Sequence, residues 1–178
     1  MDKVDEDVVK EILASLLEGK EIINYNDSAR IEKVVINYNK GRKPYQHVIL
    51  GKKCYPDLIV YHTGLKMAFR KLSNPFYIEV ILGDGKEVLE CLNQIIPYKY
   101  KYPKTVFKKY GDYHVVFTNL ALLSEGKFRN WFTLDDSADL ILTRVFWHLG
   151  FGVMRKNKND LRVDFNEQEW FVVKIGGE

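Results

Sequence analysis

Cysteine is scarce: only Cys54 and Cys91 occur in 178 residues. They form neither a CxxC pair nor the quartet that a structural zinc or a four-cysteine iron–sulfur cluster within one chain requires. Both are read as reduced, partly buried thiols. No apolar run reaches the roughly 18 residues that a membrane-crossing helix takes, so no membrane partner is expected. The segment Met1-Asp2-Lys3-Val4-Asp5-Glu6-Asp7 lacks the basic stretch and apolar core of a secretory signal, and a cytoplasmic location is expected. GxSxG, P-loop and GxGxxG patterns are missing, which argues against serine hydrolases, P-loop NTPases and Rossmann oxidoreductases. The four histidines, His47, His62, His114 and His148, show no HxH or HExxH spacing and are read as structural or solvated. Neither an internal repeat nor a low-complexity tract is present.

What the sequence does contain is a core. Hydrophobic residues make up 46% and charged residues 29%, which excludes global disorder and suits one domain of ordinary size. The net charge of +3 is mildly basic and points weakly to a polyanionic partner. Its distribution says more: residues 96–109, IPYKYKYPKTVFKK, interleave five lysines with four aromatics. Phosphates attract the first and unstacked bases the second. Lys99, Lys101 and Lys104 are the nucleic-acid contacts this pattern suggests, with DNA as the partner. A solvated face with its tyrosines packed at a domain edge is the plainer alternative.

Val8, Val9, Ile12, Leu13, Leu16 and Leu17 recur at helical spacing and predict a helix over residues 5–19. Asn26-Asp27-Ser28 offers an N-cap for a second helix over 29–37, and Asn39-Lys40-Gly41 its end. Strands are expected over 47–50, 55–61, 76–82 and 113–118, each rich in β-branched or aromatic residues. Gly51-Lys52-Lys53 reads as a turn between the first two, and a helix is expected over 86–96. Residues 134–151 read as a further helix, and two strands, 161–165 and 170–175, end the chain. The sum is an α/β protein with a mixed central sheet flanked by helices. Residues 1–132 form its core, and 133–178 a C-terminal α+β extension, either separate or part of the same domain.

Two of these strands hold a lone carboxylate in an apolar run: Asp57 between Pro56 and Leu58, and Glu79 between Ile78 and Val80. A charge in a buried strand is costly unless it is paired or bound to a metal. If the strands are neighbours, the carboxylates converge at the sheet's rim, where oxygen ligands suit Mg²⁺ or Mn²⁺. A strand-start residue bound to backbone amides and an edge-strand surface charge are the alternative readings of Asp57 and Glu79.

Tyr55-Pro56-Asp57 followed by Ile78-Glu79-Val80 resembles the PD-(D/E)xK nucleases, and Gln94-Ile-Ile-Pro-Tyr98 resembles the Q-x3-Y motif of their RecB-like branch. The resemblance covers residues 28–119. It implies a restriction-endonuclease-like fold and a Mg²⁺-dependent deoxyribonuclease. Asp57 and Glu79 would then hold the metal, Gln94 and Tyr98 would stand beside it on a helix, and Glu32, placed on the helix before the first core strand, would be an additional acidic group. The lysine usually found two residues after the glutamate is replaced by Ile81. Lys86, which opens the next helix, and Lys101, seven residues after Gln94, are the candidate substitutes. A nucleic-acid-binding protein with a degenerate site stays open, as does an interaction module using Trp131, Trp147 and Trp170. A homodimer is compatible with either.

Overall fold

The computed structural model describes residues 5–38, 47–49, 52–54, 56–80, 115–116, 144, 147–148, 152–156 and 159–176. The first element is helix α1, Glu6–Leu17. Asp5 caps it by accepting the Asp7 N–H at 3.0 Å, and Glu6 and Asp7 place negative charge in the first turn, where the helix dipole favours it. Gly19 follows at φ +74°, a left-handed conformation that ends helices readily when no Cβ is present. The buried face of α1 comprises Val9, Lys10, Leu13, Ala14 and Leu17. Burying each of its larger aliphatic side chains contributes about 1.5–3 kcal/mol.

The strands are β1 (Glu21–Ile23), β2 (Ser28–Ile36), β3 (His47–Ile49), β4 (Lys52–Cys54), β5 (Leu58–His62), β6 (Phe76–Val80), β7 (Val115–Val116), β8 (Val153–Lys156), β9 (Asp160–Asp164) and β10 (Trp170–Lys174). Eight of them form one sheet in the order β7-β6-β5-β2-β1-β10-β9-β8, while β3 and β4 pair separately. Every pairing is antiparallel except β6 with β7, which is parallel. The sheet curls until its edge strands β7 and β8 approach each other. Val9, Leu13 and Leu17 of α1 share one core with Ile31, Leu58, Val60, Phe76, Ile78, Phe171 and Val173. Among the described residues no helix is long and apolar enough to cross a membrane.

The mixed sheet and the first helix match expectation, as do the strands near 47, 58, 76, 115, 161 and 170. Residues 29–37 do not: 29–36 belong to strand β2, not to a helix. Asn26-Asp27-Ser28 turns the chain instead of capping a helix. Asn24 Oδ1 accepts the N–H groups of Asn26 and Asp27 at 2.9 and 2.7 Å, and Asp27 accepts those of Ser28 and Lys66, both at 2.9 Å. Ile31, Val34, Val35 and Ile36 then find partners in β5, and β-branched residues pack well on a pleated surface. Strand β1, its hairpin partner, is too short for its three residues to register as a pattern. Lys52 and Lys53, expected in a turn, pair in β4 with Ile49 and Val48. Arg144, Trp147 and His148 are helical, in line with the helix expected over 134–151, whereas the helix expected over 86–96 lies outside the described residues. The C-terminal strands are hydrogen-bonded into the main sheet through β10 and β1.

Candidate active site

The end of β2, the start of β5, the end of β6 and the first turns of α1 meet at one corner. Asn37, 2% exposed, ties three of these parts together. Its backbone N–H donates to the Asp57 carbonyl at 3.0 Å and its Nδ2 to the Pro56 carbonyl at 2.6 Å, which carries the β2–β5 ladder one residue past its last pair. The Asn37 carbonyl accepts from Lys10 Nζ at 2.8 Å, linking the sheet to α1.

Asp57 sits just before β5. Continuing the Leu58–Ile78 register by one residue sets it opposite Glu79, whose carboxyl feels the Asp57 charge. Asp57 Oδ2 also accepts the Val80 N–H at 2.7 Å, and Oδ1 pairs with Lys10 Nζ at 2.9 Å. Lys10 further contacts Glu6 Oε1 at 3.2 Å and Asp7 Oδ1 at 3.4 Å. Lysine is rarely fully buried, yet Lys10 is 0% exposed, on the stripe of α1 that also carries Leu13, Ala14 and Leu17. Its partners explain how it can stay there: an unpaired ammonium in that position would be prohibitively costly.

The electrostatics follow from crowding. Burial raises the Asp57 pKa from 3.8 to about 6, helped by the negative charge of Glu6 and opposed by Lys10 and the Val80 amide. Glu79 leaves part of its residue surface open, but its carboxyl end is enclosed by protein. Burial holds that carboxyl well above the usual carboxylate range, and the charge of Asp57 acts in the same direction. Lys10 feels burial most, which favours its neutral form, but the combined pull of Asp57 and Glu6 exceeds it and holds the ammonium above its ordinary value. Two carboxyl groups this close favour sharing one proton or binding a cation over ionising together.

Asp57 and Glu79 are therefore brought together as the sequence suggested. Glu32 is not part of the corner: it is exposed on β2, at the irregularity where the β2–β5 register slips between Ile31 and Lys33. The helix preceding the core strands is α1, and its acidic residues at the corner are Glu6 and Asp7. Glu6 and Lys10 were overlooked although their signal was present. Spacings of four and three residues align Glu6, Lys10, Leu13 and Leu17, so a lysine interrupts an apolar stripe with a glutamate one turn before it. Ile81, Lys86, Gln94, Tyr98, Lys99, Lys101 and Lys104 lie outside the described residues. Among the described residues no three acidic, histidine or cysteine side chains stand as a preformed metal cage. Oxygen donors suited to a hard cation are present at the corner, but with Lys10 among them.

Other candidates are engaged elsewhere. The His62 ring accepts the Gly64 N–H at Nδ1, 3.0 Å, and therefore donates from Nε2 to the Ser73 carbonyl at 2.7 Å, a structural role. Trp147 Nε1 donates to the Asp164 carbonyl at 2.8 Å, and Trp170 lies 4.6 Å beneath the Arg162 guanidinium and 5.8 Å from the Tyr25 ring. Comparison of the chain with family models, curated proteins and solved structures finds no match.

Proposed function

We propose that this protein is a metal-dependent phosphodiesterase that hydrolyses DNA from a PD-(D/E)xK-type site on a restriction-endonuclease-like scaffold. The observation that carries the reading is the placement of Asp57 opposite Glu79 at adjacent ends of β5 and β6, with Glu6 and the buried Lys10 beside Asp57. The topology supports it too: α1 precedes antiparallel β2, β5 and β6, and β7 joins β6 in parallel, a mixed sheet of the kind the resemblance implies.

Asp57 and Glu79 are the residues that would hold Mg²⁺ or Mn²⁺, since carboxylate oxygens are the donors such ions take. A bound ion of this kind lowers the pKa of its water and offsets charge on a phosphate. Glu6 adds a third carboxylate. Lys10 supplies the cation that Ile81 cannot, and it is a stronger candidate than Lys86 or Lys101 because its ammonium already stands 2.9 Å from Asp57. Its work is to stabilise negative charge developing on the phosphate. Gln94 and Tyr98 orient the substrate or the metal's surroundings, and Lys99, Lys101 and Lys104 hold the strand by its phosphates.

The deciding experiment incubates plasmid and single-stranded DNA with the protein in Mg²⁺, Mn²⁺ or EDTA. Cleavage that needs the ion and is lost in Asp57→Asn supports the reading. Salt-dependent DNA binding with no cleavage in either ion would turn it toward a DNA-binding protein.

A further inference from the structure

We propose that Lys10 is a displaceable internal counter-cation: its ammonium fills the cation position against Asp57 while no divalent ion is bound, and metal binding displaces it from Asp57 onto its other partners. The inference rests on the metal-dependent reading above.

Two features of the corner carry it. First, Asp57 Oδ2 already accepts the Val80 amide at 2.7 Å, so Oδ1 is the oxygen on which an incoming ion meets least competition from the backbone. Oδ1 is the atom Lys10 holds, at 2.9 Å. A divalent ion and an ammonium on the same oxygen repel strongly in a site screened from water, so the two compete for it.

Second, Lys10 has somewhere to go. Its ammonium also stands 3.2 Å from Glu6, 3.4 Å from Asp7 and 2.8 Å from the Asn37 carbonyl. Glu6 and Asp7 lie one turn back on the same helix, and the Asn37 carbonyl is a neutral acceptor at the end of β2. A lysine on a four-carbon stem with three rotatable donors can give up Asp57 and keep these partners without any movement of α1.

The test measures Mn²⁺ binding to the protein alone, by titration calorimetry, for wild type, Lys10→Met and Asp57→Asn. Lys10→Met should bind Mn²⁺ about tenfold or more tightly than wild type, the scale expected when one close like charge is removed, while its DNA cleavage at saturating Mn²⁺ falls. Asp57→Asn should lose Mn²⁺ binding. Equal affinity in wild type and Lys10→Met, with Asp57→Asn still defective, overturns the displacement while leaving the metal site intact. If neither wild type nor Lys10→Met binds Mn²⁺, the metal-dependent reading falls and this inference with it. Should Lys10→Met fail to fold, the wild type decides: in ¹⁵N-lysine spectra the buried Lys10 ammonium should shift and exchange its protons faster once Mg²⁺ saturates the site. An unchanged Lys10 signal in Mg²⁺-saturated protein overturns the proposal.

Discussion

Asp57 and Glu169 are equally hidden, each 6% exposed, yet their surroundings differ in kind. Glu169 sits at the β9–β10 turn. Its Oε1 accepts from Asn166 Nδ2 at 3.1 Å, and Arg70 Nε lies 3.5 Å from its Oε2. The Arg70 guanidinium also rests 4.9 Å from the Phe165 ring, and the Phe165 N–H donates to the Glu169 carbonyl at 2.9 Å. Among the described residues Arg70 meets this carboxylate, and the pair fastens a turn onto the loop before β6. At the other corner, among the described residues, a single ammonium is shared by Glu6, Asp7 and Asp57, and Glu79 stands opposite Asp57. Burial alone does not mark a functional carboxylate, because proteins bury acids for structural reasons as well. A surplus of acid over cation marks it better: it costs stability where no cation arrives and becomes useful where one does.

The largest expected effect separates the two corners by activity. Asp57→Asn should lower metal-dependent DNA cleavage by about 10²–10³-fold, the range seen when one group acting on transition-state charge is lost, while circular dichroism still reports a folded protein. Glu169→Gln should leave cleavage unchanged and lower stability in urea by about 1–3 kcal/mol, because Arg70 keeps its place and loses its ionic partner. Loss of cleavage in both variants would mean that the contrast between the corners is only one of packing.

A middle-sized effect concerns pH. Asp57 has a folded pKa of about 6 against an ordinary value of 3.8, so the folded state holds its proton more tightly than the unfolded chain does. Stability from such a group is fully present below 3.8 and declines as pH rises toward about 6, because the unfolded state releases the proton first. Glu79 is shifted in the same direction and adds to the decline. Lys10, raised above its ordinary 10.5, contributes stability that is constant across this window and is lost only at alkaline pH. Thermal melts of wild type should therefore lose stability across roughly pH 4–6 relative to Asp57→Asn, whose amide does not titrate and whose Glu79 is relieved of the neighbouring charge. Parallel curves for the two proteins would show that burial leaves the pair unperturbed.

The sequence made some of this corner legible and hid the rest for physical reasons. Asp57 and Glu79 stood out because each interrupts a run of apolar strand residues, and period-two alternation needs only a few residues to be visible. The helix α1 was equally plain from its spacing. Strand β2 was not: Asp27 could cap a helix with the side-chain oxygens that here close a turn, and only the pairing of Val34, Val35 and Ile36 with β5 chooses between them. A helix over 29–37 would set Glu32 beside the core strands, whereas the acidic groups that α1 brings to this corner are Glu6 and Asp7. Lys10 escaped notice because a charge on a helix usually faces water, and the four partners that bury it come from α1, the start of β5 and the end of β2, which no local pattern brings together.

The smallest expected effect tests that reassignment. Glu32 is exposed and lies at the β2 irregularity, so Glu32→Gln should change stability by no more than about 0.5 kcal/mol and leave cleavage at the wild-type rate. Glu6→Gln removes a charge that reaches both Asp57 and Glu79 and weakens the hold on Lys10, and it should slow cleavage by about 10–100-fold, as losses of groups that orient a metal's ligands do. Glu32→Gln should leave its trace elsewhere. His62 has its pKa lowered chiefly by burial, and the Glu32 charge opposes that lowering. Removing it should move the His62 titration, followed by NMR, slightly further down. Initial rates on one DNA substrate compare the two variants directly. If Glu32→Gln slows cleavage while Glu6→Gln does not, the third carboxylate belongs to β2 after all, and the role given to α1 at this corner is wrong.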